Sequence, residues 1–126
     1  MIAVKQVNYT NLDKKDRSQQ VKALETEIQM LKQLKHPNIV KYLGTHRDKH
    51  RMYIFLEYCG GGSVASVLKK FGPLSEAVIR RYLRGCLRGL SYLHSHDVIH
   101  RDIKGNNVLI VSGDAKSDDL IKLADF

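Results

Sequence analysis

The chain has 126 residues, 43% hydrophobic and 27% charged, an ordinary globular composition with length for one modest domain or part of one. Its 21 Lys and Arg against 13 Asp and Glu give a formal charge of +8, but the positive charges are scattered and no aromatic residues interleave with them, so no nucleic-acid partner is expected. No apolar run approaches the roughly 20 residues of a membrane span, residues 1–5 lack signal-peptide features, and Cys59 and Cys86 have no metal or disulfide spacing, so a soluble cytoplasmic chain with reduced thiols is expected.

Residues 2–7 alternate polar and apolar with β-branched side chains, the pattern of a strand. After a polar stretch, Val21, Leu24, Ile28, Leu31 and Leu34 recur at helical spacing and predict an amphipathic helix that ends before His36-Pro37-Asn38. Residues 39–43 and 52–58, joined by a charged turn at 48–51, read as an antiparallel hairpin. Gly60-Gly61-Gly62 breaks the pattern, and helices follow, one over about 63–70 and a longer one from Ser75 as N-cap. The longer helix is expected to bury Ile79, Leu83, Cys86, Leu87, Leu90 and Leu93, with Arg81, Arg84 and Arg88 opposite. A polar run over 100–107 then precedes a strand at 108–111, a polar loop, and a last strand at 120–124. Side chains on a loop held between buried strands are well placed for function.

His100-Arg101-Asp102-Ile103-Lys104-Gly105-Asn106-Asn107, with Asp125-Phe126 following 23 residues after Asp102, resembles the catalytic loop and metal-binding aspartate of eukaryotic protein kinases. The resemblance implies that Asp102 is the catalytic base, that Asn107 and Asp125 hold Mg²⁺, and that Lys104 contacts the γ-phosphate, as in the serine/threonine members. Ala3-Val4-Lys5 resembles the strand motif whose lysine binds the α- and β-phosphates of ATP and pairs with a helix glutamate. Glu25 and Glu27 are both candidates for that glutamate. At about 100° per residue the apolar arc contains Glu27 and leaves Glu25 outside by roughly 40°, which selects Glu27. A glutamate in an apolar stripe needs a partner, and Lys5 would supply one.

Residues 53–59 are similar to the family's hinge strand, which implies Leu56 as gatekeeper and backbone groups of Glu57 and Cys59 as contacts for adenine. Ala3 and Leu109 match residues above and below the ring, Ser63 a ribose contact, and Leu31, Tyr42, His100 and Phe126 a packed spine. Two rival patterns fail. Residues 60–65 fit a dinucleotide fingerprint, but the second strand with an acidic end that such a fold needs is replaced by helix. His94, His96 and His100 suggest a metal, but two of them sit at a helix terminus, where histidine is common, and the third belongs to the loop motif.

Within the family, the runs at 27–31, 36–40, 61–64 and 102–105 are most similar to MAP kinase kinase kinases. That resemblance implies an α+β, two-lobed fold, ATP and Mg²⁺ as cofactors, and a protein substrate, a MAP kinase kinase phosphorylated on its activation loop. The chain is expected to be an incomplete domain, residues 1–58 forming part of the N-lobe and 59–126 the hinge and first part of the C-lobe. Without further helices its apolar stripe is left exposed and the chain alone is expected to be inactive. A non-catalytic kinase-like binding module is the alternative, disfavoured because the lysine, base and metal residues are all present.

Overall fold

The computed structural model describes residues 1–9, 13–111 and 121–125. They fall into two compact units, Met1–Lys35 with Lys41–Tyr58, and His36–Val40 with Cys59–Phe126. The chain changes unit after Tyr58, and His36–Val40 groups with the second unit.

The first unit contains β1 (Ile2–Asn8), α1 (Lys14–Gln33), β2 (Tyr42–Arg47) and β3 (Arg51–Glu57). The strands form one antiparallel sheet in the order β1-β3-β2, with Ala3 opposite Leu56 and Lys5 opposite Ile54. α1 starts where the Asp13 carboxylate accepts the Asp16 backbone N–H at 2.8 Å, satisfying one of the donors a helix start leaves open. Its apolar repeat then docks Val21 and Ile28 onto Tyr9, Met52 and Ile54, all buried, with Leu24 packed beside them. The β2–β3 turn is tied by the Asp48 carboxylate, which accepts from His50 N at 2.8 Å and Arg51 N at 2.7 Å. Those two backbone N–H groups favour its charged form and hold its pKa below the usual carboxylate value. The Tyr9 hydroxyl closes the turn from beneath, donating to Asp48 O at 2.7 Å.

The first hairpin strand begins at Tyr42 and not at residue 39, as expected from its apolar run. The reason is competition for backbone partners. Ile39 forms an isolated parallel bridge with Leu123, and Val40 N–H donates to Leu123 O at 3.1 Å, so these residues are committed to the second unit before β2 starts.

The second unit contains α2 (Val64–Phe71), α3 (Glu76–Ser95), a short 3-10 turn at Gly105–Asn107, β4 (Val108–Ile110) and β5 (Ile121–Leu123), the two strands pairing antiparallel. Ser63 caps α2 in a reciprocal box with Ser66, and Ser75 caps α3. The polar loop expected at 112–119 lies outside the described residues.

The buried face of α3 differs from the one expected. Gly85, Gly89 and Leu93 are its buried residues, whereas Ile79, Leu83 and Leu87 are 40%, 56% and 65% exposed. Apolarity alone misplaced the face, because β5 comes so close that only glycine fits. A Cβ on Gly85 would meet Ile121 Cγ1 at 2.6 Å, and one on Gly89 would meet Leu123 Cδ1 at 2.9 Å and Asn38 O at 3.0 Å. The displaced stripe lines an apolar groove of about 550 Å³ that includes Leu68, Ile79, Leu83, Leu87 and Ile103.

Candidate functional site

The polar run after α3 is shaped by its own backbone. Arg101 has φ 72° and is followed by extended and turn residues leading to the 3-10 turn at Gly105–Asn107. A left-handed arginine costs conformational energy and persists only where the surroundings fix it. Here the fixing group is His100, which is 3% exposed. Its Nδ1 accepts Asp102 N–H at 3.1 Å, which leaves Nε2 as the protonated nitrogen donating to Ala124 O at 2.7 Å. One imidazole thus fixes both the loop and the end of β5.

Two of the expected residues converge on the carboxylate of a third, Asp102. Asn107, 5% exposed, donates Nδ2 to Asp102 Oδ2 at 3.0 Å and to Asp102 O at 2.9 Å. Lys104 Nζ stands 3.4 Å from the same Oδ2, with about half of each side chain exposed. Both tethers fall on Oδ2, so Oδ1 is the oxygen left for an incoming group. Ala124 N–H donates to Asn107 O at 2.9 Å, which brings Asp125 next along the chain from a residue bonded to both His100 and Asn107. Asp125 is exposed and left-handed, with φ 56°. Residue type gives no sign of the left-handed Arg101, whereas aspartate is among the types enriched in that region.

The donor set suits a hard cation. With Nδ2 given to Asp102, Asn107 offers its amide oxygen, and Asp125 offers a carboxylate, so oxygen is the only ligand type. Among the described residues no three His, Cys, Asp or Glu side chains gather into a metal site. A two-oxygen protein contribution suits magnesium, which keeps waters and takes further ligands from phosphates.

In the first unit, Lys5 lies directly opposite Ile54 and therefore on the same sheet face. Ile54 is 1% exposed and packs in the cluster with Ile28, the residue after Glu27. Glu27 is half-buried, while Glu25 is exposed and pairs with Arg47 at 3.2 Å. Lys5 itself is exposed, and among the described residues no ion pair joins it to Glu27. Ala3 is partly buried opposite Leu56.

The remaining expected contacts have local duties. Glu57 N–H donates to Lys41 O at 3.0 Å, and the Glu57 carboxylate accepts Lys41 N–H at 2.7 Å. The Glu57 N–H is therefore committed within the first unit. Cys59 is buried and its carbonyl accepts Gly62 N–H at 3.4 Å. Ser63 is bridged to Leu109 and its hydroxyl caps α2, accepting Ser66 N–H at 3.1 Å. Phe126, expected in the packed spine, lies outside the described residues. Burial raises the pKa of the Cys86 thiol, which suits a packing residue better than a nucleophile.

The protein kinase domain family model matches residues 1–126. The chain is 50% identical to the mitogen-activated protein kinase kinase kinase ANP1 of Arabidopsis thaliana, covering 100% of this chain and 18% of that protein. It is 45% identical to mitogen-activated protein kinase kinase kinase 19 of Mus musculus, covering 100% of this chain and 9% of the relative. Mitogen-activated protein kinase kinase kinase 1 of Homo sapiens is 43% identical over 100% of this chain and 8% of its own length. Among solved structures, Rad53 1-466 in complex with AMP-PNP superposes with a TM-score of 0.81 at 29% identity, covering 99% of this chain and 30% of that one. The chain thus spans less than a fifth of the length of these curated relatives. Among the described residues no helix is long and apolar enough to cross a membrane.

Proposed function

Because the chain belongs to the protein kinase domain family, we propose that the natural protein carrying it transfers the γ-phosphoryl group of ATP to serine or threonine hydroxyls of a protein substrate. The observation that carries this reading is the convergence of Asn107 and Lys104 on one oxygen of Asp102. That arrangement leaves the other oxygen, Oδ1, to accept the proton of a substrate hydroxyl. The hydroxyl oxygen then bonds to the γ-phosphorus as the bond to the bridging oxygen breaks and ADP departs. Lys104 supplies positive charge for the γ-phosphate, and Lys5 supplies it for the α- and β-phosphates, with Glu27 as the partner it would take when nucleotide binds. Asn107 and Asp125 would hold Mg²⁺, which when bound neutralises charge on the phosphates. Ala3 and Leu109 would lie against adenine, Cys59 and the Glu57 carbonyl would meet its edge, and Ser63 would reach the ribose. The Rad53 neighbour was solved with an ATP analogue, which supports nucleotide binding here.

The similarity to MAP kinase kinase kinases supports a substrate among MAP kinase kinases and a cytoplasmic signalling role. The exposed apolar groove on α3 supports a requirement for additional protein, so the 126-residue chain by itself is proposed to be inactive. Incubating the natural protein and a MAP kinase kinase with ATP labelled at the γ-position tests both statements. Labelled phosphoserine or phosphothreonine is expected from the natural protein and no label from the isolated chain. Label confined to phosphotyrosine, or absent altogether with the natural protein, would overturn the functional reading, and label with the isolated chain would overturn its inactivity.

A further inference from the structure

β5 has only three residues, yet it delivers Asp125 beside the 102–107 loop. One edge pairs with β4 through Val108–Leu123, Leu109–Lys122 and Ile110–Ile121. The opposite edge is met by a segment that is neither helix nor named strand. Asn38, 1% exposed, accepts Leu123 N–H on its carbonyl at 2.8 Å and donates its side-chain Nδ2 to Ile121 O at 3.0 Å. Val40 N–H completes the edge by donating to Leu123 O at 3.1 Å.

The amide of Asn38 therefore stands where the next backbone donor of a longer strand would be. It satisfies a buried carbonyl that would otherwise lack a ladder partner. α3 is shaped around the same residue, since a Cβ on Gly85 would come within 3.1 Å of Asn38 Nδ2 and one on Gly89 within 3.0 Å of Asn38 O. The Asn38 backbone is in turn held by His36, whose Nδ1 accepts Asn38 N–H at 3.0 Å.

We propose that Asn38 is a positioning residue for the cation site. By completing the free edge of β5 through its backbone and its side-chain amide, it fixes where Ala124 and Asp125 emerge relative to Asn107. This rests on the phosphoryl-transfer reading for the purpose of the site, but it concerns geometry that exists without turnover. Residues that orient a metal ligand from behind commonly change metal affinity by about 10- to 100-fold when removed.

The test compares the natural protein with its Asn38→Ala variant. Without metal, amide-proton exchange at Leu123 and Ala124 is expected to accelerate relative to the rest of the second unit. In calorimetric titrations with AMP-PNP over a series of magnesium concentrations, half-saturation by magnesium is expected to shift upward about tenfold. Val98→Ala, at a buried site in the same unit whose backbone N–H bonds to Leu93 O, controls for lost stability and should leave the magnesium dependence unchanged. If Asn38→Ala does not fold, Asn38→Ser, whose hydroxyl is too short to reach Ile121 O, is read in its place.

An unchanged magnesium dependence, or an equal shift in Val98→Ala, would overturn the role of Asn38, as would nucleotide binding by the parent protein that is indifferent to magnesium. If the parent protein binds AMP-PNP with magnesium but transfers no phosphate from ATP, the reaction assignment falls, and the shift still decides the role of Asn38.

Discussion

Glu25 and Glu27 stand two residues apart on α1 and meet opposite environments. Glu25 faces water and pairs with Arg47, both side chains more than half exposed, a contact of the kind that contributes about 0–1 kcal/mol. Glu27 is half-buried next to Ile28, which packs on the sheet face of Ile54, the residue opposite Lys5. Helical periodicity was enough to separate the two, because one residue step rotates a side chain by about 100°. What periodicity could not foresee is that Lys5 and Glu27 are not joined here by an ion pair. The pairing depends on the placement of α1 over β1, which is set by packing of Val21 and Ile28 and not by local sequence. If the Lys5–Glu27 contact forms with nucleotide bound, Glu27→Gln removes a charge-assisted interaction worth about 1.5–3 kcal/mol. Steady-state kinetics should then show kcat/KM for ATP falling roughly ten- to a hundredfold, with Glu25→Gln close to the parent. Equal effects of the two substitutions would remove Glu27 from the site.

At the scale of elements, strands and helices were legible wherever period and capping agreed. Ser63 and Ser75 begin helices as their positions suggested. Two features escaped. Residues 39–40 looked like the start of a strand of the first sheet, but they pair with Leu123. The face of α3 was assigned by its leucines, whereas close approach of β5 turns Gly85 and Gly89 inward. Glycines spaced by four residues were the available signal, and hydrophobicity hides it. The close approach gives a testable sign for Gly89→Ala. In a free helix the change would stabilise by about 1 kcal/mol. Here the new methyl would meet a Leu123 methyl at 2.9 Å and the Asn38 carbonyl at 3.0 Å, and the carbonyl is held by Leu123 N–H. Overpacking of this kind costs about 1–3 kcal/mol. A net loss of stability is expected in urea denaturation of the natural protein, and a gain approaching the helix-propensity value would refute the tight contact.

For the whole molecule, the residues with chemistry were easier to read than the surroundings that make them effective. Asp102, Lys104 and Asn107 are close in sequence, so a motif finds them, and the structure then adds that two of them hold one oxygen of the third. Asp125 is distant, and its delivery depends on His100, Asn107 and Asn38 acting through the backbone of 121–124, which no linear pattern reports. The same holds for the groove along α3, where Leu83 and Leu87 remain exposed in a chain that covers 30% of the superposed Rad53 chain. The most direct test of the central assignment is the single-turnover rate of γ-phosphoryl transfer from ATP to a serine- or threonine-containing protein substrate, measured for the natural protein and for Asp102→Asn. Asparagine preserves the shape of the side chain but cannot take the hydroxyl proton. The rate is expected to fall by about 10²–10⁴-fold with nucleotide affinity little changed, and an Asp102→Asn protein that transfers phosphate at the parent rate would contradict the assignment of Asp102 as the base.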